Sequence, residues 1–257
     1  MKIIVAIKQV PERDARIRID AAGKWIDLQD IEVALNESDA YALEEALQLK
    51  EAQGGEVVAI SVGPERAGQT IREALAKGAD RGIHVEVSDP DALTNLDSLA
   101  IARLLASAIR DEQPDLVLTG LQSDDLGFGQ TGVILAELLG IPHATLILKT
   151  EVTSTGIRVL RELEDGWFQH IDMPTPALLT IQSGTNKLRY ATLMGIKRAK
   201  MKELRAVTAD LASVAPVLVR DRVTLPSKQR TTEILTGTPA EAAQKLVDKL
   251  QAEARVL

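Results

Sequence analysis

Cysteine is absent from this 257-residue chain, and only six aromatic residues and three histidines are present. Without cysteine there is no disulfide framework, no thiolate nucleophile, no Cys-ligated iron–sulfur cluster and no cysteine zinc site. Positive charge is also scarce: 30 Lys plus Arg stand against 37 Asp plus Glu, a net charge of −7. That balance gives no electrostatic reason to bind DNA or RNA, and six aromatics offer little base stacking. Long hydrophobic runs are missing too. The apolar opening at residues 3–7 is cut off by Lys8, and no later stretch approaches the ~18 apolar residues of a membrane span. The chain is therefore expected to stay in the compartment where it is made, the cytoplasm. Its length and 45% apolar content suffice for a full core, as one large domain or a domain with an appendage.

What is present is an alternation. Residues 3–7, 56–61, 83–87 and 116–118 are short apolar runs rich in β-branched side chains, the pattern of strands buried on both faces. Between them lie helical stretches. Asn36 is expected to cap the first, with Glu37 and Asp39 in its positive first turn. The second runs over 67–77 to Gly78, Asp97 caps the third, and the fourth covers 132–139 with Gly140 as its cap. Residues 16–19 and 25–26 read as a small hairpin excursion. Strand–helix repetition predicts an α/β fold: a doubly wound, mainly parallel, Rossmann-like sheet. Beyond Pro142 the pattern changes to strands at 145–148, 157–163 and 177–182, then an irregular segment, a basic stretch from 196 to 205, and a proline-punctuated tail with a terminal helix from about Ala240. The expected organisation is an α/β domain over 1–184, a loop and basic helix over 185–205, and an arm over 206–257. That arm has too few apolar residues for a core of its own and is expected to pack on this domain or on a partner.

In such a sheet, ligands bind beyond the carboxyl ends of the strands, where the strand order reverses. The loops there are 7–14, 62–66 and 120–131. The last contains Gly120, Gln122, Ser123, Asp124, Asp125, Gly127, Phe128, Gly129, Gln130 and Thr131, with a helix directly behind it. Its amides and that helix N-terminus suit a phosphate, with Gln130 and Thr131 as added donors. Asp124 and Asp125 would repel one unless they face ribose hydroxyls or solvent. A surface loop whose glycines merely turn the chain is the alternative. No Walker lysine follows the loop, and no G-x-G-x-x-G follows the first strand, so ordinary ATPase and NAD-enzyme readings lose support. His84, His143 and His170 share no short spacing and read as structural or surface residues rather than metal ligands. No nucleophile sits beside a base. Neither a catalytic residue nor a metal site is assigned. The basic run Lys197, Arg198, Lys200 and Lys202 reads as a solvated helix face, or one that meets an acidic partner.

Four stretches resemble the β subunit of electron transfer flavoproteins: Ile4 to Val10; Leu35-Asn36-Glu37-Ser38-Asp39 running into Leu43-Glu44-Glu45-Ala46; Ala76 to Arg81; and Val159-Leu160-Arg161-Glu162 through Asp165-Gly166 and Pro176 to Thr180, continuing as Asn186-Lys187-Leu188-Arg189-Tyr190-Ala191-Thr192-Leu193. The resemblance spans nearly the whole chain. It implies a heterodimer with a larger α subunit that holds most of the FAD, and a structural AMP in this chain. It also implies an electron carrier without bond-making chemistry of its own. The implied nucleotide contacts are Ala6, Asn36, Glu37, Ser38, Asp39, Val62, Gly120, Gln122, Ser123, Asp124, Gly127, Phe128, Gly129, Gln130 and Thr131. Tyr190 to Leu193 would dock the donor dehydrogenase, with Leu193 as apolar anchor and Arg189 on its charged rim. Glu162 would meet an arginine of the α subunit.

Departures from the family pattern are visible. Leu188 stands where a proline is common, and Arg13 stands where some members place an aromatic near the flavin. There Arg13 would favour anionic forms of the ring. The wording around Asn36 and Gln122 resembles bacterial, AMP-containing members that serve amine dehydrogenases more than mitochondrial ones. A bifurcating-type β subunit with a second FAD in place of AMP, and a free-standing adenine-nucleotide sensor or hydrolase, are the alternatives.

Overall fold

The computed structural model describes residues 1–28, 30–226 and 232–256, in two compact units, Met1–Val223 and Thr224–Leu257. The first unit opens with β1 (Lys2–Ala6), a short antiparallel ribbon of β2 (Gln9–Pro11) and β3 (Val33–Leu35), and α1 (Glu37–Gln53). There follow β4 (Glu56–Gly63), α2 (Ala67–Lys77), β5 (Arg81–Glu86), α3 (Pro90–Asn95), α4 (Ser98–Ile109), β6 (Leu116–Gly120) and α5 (Thr131–Leu139). The later elements are β7 (His143–Thr153), β8 (Gly156–Glu162), β9 (Phe168–Met173), β10 (Ala177–Ile181), α6 (Leu193–Ala199) and β11 (Leu204–Thr208).

Among the described residues the main sheet has nine strands in the order β11-β5-β4-β1-β6-β10-β7-β8-β9. The seven strands from β11 to β7 run parallel, and β8 and β9 are antiparallel additions at one edge. The apolar runs of β1, β4 and β6 are continuous because helices cover both faces. Ile3 and Val5 point into a core with Leu43, Leu47, Ile71 and Leu75 of α1 and α2. Ile4 and Ala6 point the other way, into a core with Leu104, Leu105, Ile109 and Leu135 of α4 and α5. The predicted doubly wound sheet is therefore present, and its strand order reverses between β1 and β6.

Several local expectations are adjusted. Residues 16–26 make the expected excursion, reduced to a single antiparallel bridge between Ile19 and Ile26. The first unit takes in 185–205 and the start of the tail, because β11 extends the parallel sheet beside β5 and Val214 is buried in the α4–α5 core. Lys202 is not on a solvated basic face. Its ammonium turns inward to the Leu75 and Ala79 carbonyls at the end of α2. The second unit contains α7 (Pro239–Lys249), opened by a Thr238–Glu241 capping box and leading into a π-helical turn, Leu250–Ala254. Of the expected arm, 227–231 and 257 lie outside the described residues. No helix among the described residues is long and apolar enough to cross a membrane.

One side chain ties α1 to the point of strand reversal. Asp39 is buried, and its Oδ2 accepts the Lys8 N–H just past β1 at 2.8 Å while its Oδ1 accepts the Gly120 N–H at the end of β6 at 3.0 Å. Burial pushes the Asp39 carboxyl up to about 7, against the pull of these two amides and of Asn36. The folded state thus holds this proton to higher pH than the unfolded chain, whose ordinary value is 3.8. The stability associated with it is fully present below that value and is lost as pH rises through about 7. By linkage the two limits differ by about 4 kcal/mol. Asp39→Asn removes the titration, so the variant's urea midpoint should gain on the wild type's between about pH 4.5 and 7.5. A constant offset across that range would show that Asp39 does not hold its proton.

Candidate functional site

The carboxyl ends of β1, β4 and β6, the N-terminus of α4 and the 120–131 loop surround a cleft with a cavity volume of about 140 Å³. Ala6, Asn36, Asp39, Val62, Gly120, Gln122, Ser123, Phe128, Gly129, Gln130 and Thr131 all line it. The fold brings this set together because it gathers the ends of three adjacent strands at the point of reversal. Leu96, Ile101, Leu105, Leu126 and Phe128 supply apolar wall, and Lys8, Asp97 and Ser98 add polar groups to the lining. These α4 and Lys8 contributions were not assigned from sequence; Asp97 signalled only a helix cap. Glu37, Ser38, Asp124 and Gly127 do not line the cleft and act behind its wall.

Asn36 does not cap α1. Its amide Nδ2 donates to Ser38 Oγ at 3.0 Å and to the Gln122 carbonyl at 2.9 Å, while its Oδ1 accepts the Asp124 N–H at 2.9 Å. Ser38 Oγ donates to the same Gln122 carbonyl at 2.6 Å. The cap is supplied by the 120–131 loop instead: Asp124 Oδ2 accepts the Glu37 N–H at the first turn of α1, at 3.2 Å. A carboxylate there also lies at the positive end of the helix. Side chains of one helix therefore fold the loop, and the loop returns the cap.

The second loop acid is neutralised as well. Lys8 Nζ lies 2.6 Å from Asp125 Oδ1 and donates to Ser123 Oγ at 3.2 Å, and Asp125 Oδ1 also accepts the Leu126 N–H. Both acids that stood against an anion site are committed elsewhere. Gly127 closes the turn with φ +66° and its N–H on the Ser123 carbonyl, and Gly129 has φ +61°. Gln130 occupies the N-cap of α5 without a side-chain cap bond, which leaves the first amides of that helix without an intrahelical partner at the cleft wall. Gly120 has no room for a side chain: a Cβ there would overlap Ser38 Oγ and Asp39.

Arg13 is exposed and lines a neighbouring cleft with Trp25, Ile26, Glu37, Asp124 and Asp125, on the far side of the loop acids. Glu162, at the end of β8, accepts from Gln182 Nε2 at 3.2 Å. His84 is buried with a ring nitrogen 3.1 Å from the Gly63 carbonyl, and His143 and His170 are exposed on separate strands.

A second cluster lies outside this cleft. Tyr190 is 93% exposed and Leu193 83%, with Met194 and Ile196 also exposed, so Leu193 does not tuck into its own domain. Leu193 is the first residue of α6, whose Thr192 caps the helix through the Gly195 N–H at 3.0 Å. Arg189 is not a free rim charge. Its guanidinium donates to Glu44 at 2.8 and 3.0 Å and to Glu51 at 2.6 and 3.2 Å. Burial pushes the Glu44 carboxyl up, but the hydrogen bonds from Arg189 and Gln48 more than reverse this and hold it below the ordinary range.

Comparison with known proteins gives the family. Residues 25–212 match the family described as "Electron transfer flavoprotein domain". The electron transfer flavoprotein subunit beta of Methylophilus methylotrophus is 38% identical over 96% of this chain and 97% of its own length. The subunit beta of Bacillus subtilis is 37% identical over the whole of both chains, and so is the mitochondrial subunit beta of Oryza sativa subsp. indica. Overall identity thus does not separate bacterial from mitochondrial relatives. The chain belongs to the electron transfer flavoprotein family.

Proposed function

We propose that this chain is the β subunit of a heterodimeric electron transfer flavoprotein, a cytoplasmic electron carrier rather than an enzyme, and that AMP occupies the 120–131 cleft. The observation that carries the AMP assignment is the disposition of charge around that loop. Lys8 and the α1 N-terminus absorb Asp125 and Asp124, while the first amides of α5 remain at the wall. A cleft with apolar walls and backbone donors suits an adenine ring and one phosphate. Ala6 and Val62 offer backbone groups for the adenine edge, and Gly127 to Thr131 hold the phosphate end.

FAD, carried mainly by the α subunit, supplies the redox chemistry. The part of this chain is to bind, orient and shield. Arg13 faces the flavin from its neighbouring cleft and favours negative charge on the ring. Glu162 pairs with a cation of the α subunit. The 224–257 unit packs on that subunit; its exposed Ile234, Leu246 and Val256 are suited to the role. Tyr190 and Leu193 dock the donor dehydrogenase as a small apolar hot spot.

Two variants of the heterodimer test these assignments. Gly120→Ala forces Ser38 and Asp39 apart and should cost the protein most of its AMP while FAD remains near one per heterodimer. Full AMP content in that variant would contradict the placement. Leu193→Ala should raise the KM for the heterodimer in reduction by its dehydrogenase about five- to tenfold, with FAD content unchanged. An unaltered KM would remove the docking assignment.

A further inference from the structure

The docking residues lie between two anchors that belong to different helices. Upstream, residues 186–189 are fastened to α1. Asn186 Nδ2 donates to the Tyr41 carbonyl at 3.3 Å and to Glu45 Oε2 at 3.1 Å, and Glu45 is held in turn by the Thr150 hydroxyl. Glu44, only 4% exposed, receives the Arg189 guanidinium through both oxygens, and its Oε2 also accepts the Arg189 backbone N–H at 3.2 Å. Glu51 grips the outer edge of the same guanidinium. Downstream, α6 is fastened to α2. Arg72 Nη1 donates to the Ala199 and Lys202 carbonyls at 2.6 and 2.8 Å, and Gly195 lies so close to the Ala76 carbonyl that a Cβ would overlap it. Residues 190–194 bridge these anchors, and their apolar side chains project into solvent.

We infer that Glu44 and Arg189 act together as a clamp that presents Tyr190 and Leu193 in one fixed geometry, which makes both positioning residues for partner docking rather than contacts with the partner. The inference rests on the docking role proposed for Leu193. It follows from how the charges are spent. All the guanidinium nitrogens found in contact serve two carboxylates of α1, one of them buried, so the fork is committed before any partner arrives. Holding a short segment at both ends removes conformational entropy that docking would otherwise have to remove, and lost preorganisation appears as weaker binding. Lysine in place of Arg189 keeps the charge but cannot reproduce the planar fork.

The test uses the purified heterodimer with its donor dehydrogenase, alongside hydrogen exchange of the 190–194 amides. Glu44→Gln and Arg189→Lys should each raise KM about tenfold with kcat changed by less than about twofold, and each should speed exchange at 190–194. FAD content and flavin reduction by a small artificial donor should stay at wild-type levels in Glu44→Gln. The double variant should be no worse than either single one, because both remove the same clamp. Wild-type KM in Arg189→Lys, together with a salt-sensitive defect in Arg189→Ala, would make Arg189 a direct charge contact and overturn the inference. Unchanged KM and exchange in Glu44→Gln would overturn it as well. Should Glu44→Gln fail to assemble, Arg189→Lys and Glu51→Gln, altered at the exposed end of the clamp, carry the same readouts. Leu193→Ala separates the two levels. If it raises KM and the clamp variants do not, only the clamp fails; if it has no effect, the docking role itself fails.

Discussion

The buried carboxylate of Asp39 is the constraint from which the functional surface is built. By accepting one amide just beyond β1 and another at the end of β6, it fixes the N-terminal turn of α1 at the point where the strand order reverses. That placement brings Asn36 and Ser38 onto the Gln122 carbonyl and brings Asp124 onto the first turn of the helix. The close approach requires glycine at position 120. A loop that could have been a loose surface turn is thereby folded against the sheet, with the α5 amides at its inner wall. Further along, the same helix carries Glu44, Glu45 and Glu51, which hold the segment leading to Leu193. One helix therefore organises both the 120–131 cleft and the exposed apolar cluster.

Several charges near the cleft and the 190–196 segment are spent internally. The net charge of −7 suggests an acidic surface with a basic exception near the recognition segment, but position matters more than the sum. Lys8 neutralises a loop acid, Arg189 is divided between two glutamates, and Lys202 serves the carbonyls at the end of α2. What remains exposed around residues 190–196 is an apolar cluster flanked by exposed Lys197, Arg198 and Lys200, so association there should combine apolar fit with a basic rim. The cysteine-free, aromatic-poor composition fits the same picture. In the function proposed above the redox group belongs mainly to the partner, and this chain's contribution is to hold and present.

The sheet was legible because its signal is dense. Residues 3–7, 56–61 and 116–118 could only be strands covered on both faces, and Gly54, Gly78 and Gly140 marked the helix ends. The cleft residues were legible as a set because the fold class dictates which loops meet. Their roles were not. Asn36 has the residue type of a cap, yet the cap comes from Asp124, 88 positions away, and no local rule anticipates a bond of that separation. Arg189 carries the same lesson: its sequence neighbours suggested a partner-facing cation, while its carboxylate partners lie about a hundred and forty residues upstream. β11 was hidden in a basic stretch, where only the pairing with β5 makes it a strand. Local pattern gave the elements; long-range hydrogen bonds assigned the side chains.

The central claim is that this cleft holds AMP in a chain whose redox group belongs mainly to a partner. Denaturing the purified wild-type heterodimer and quantifying every released nucleotide tests it most directly. One AMP with one FAD per heterodimer is the predicted result; two FAD with no AMP, or FAD alone, would contradict it.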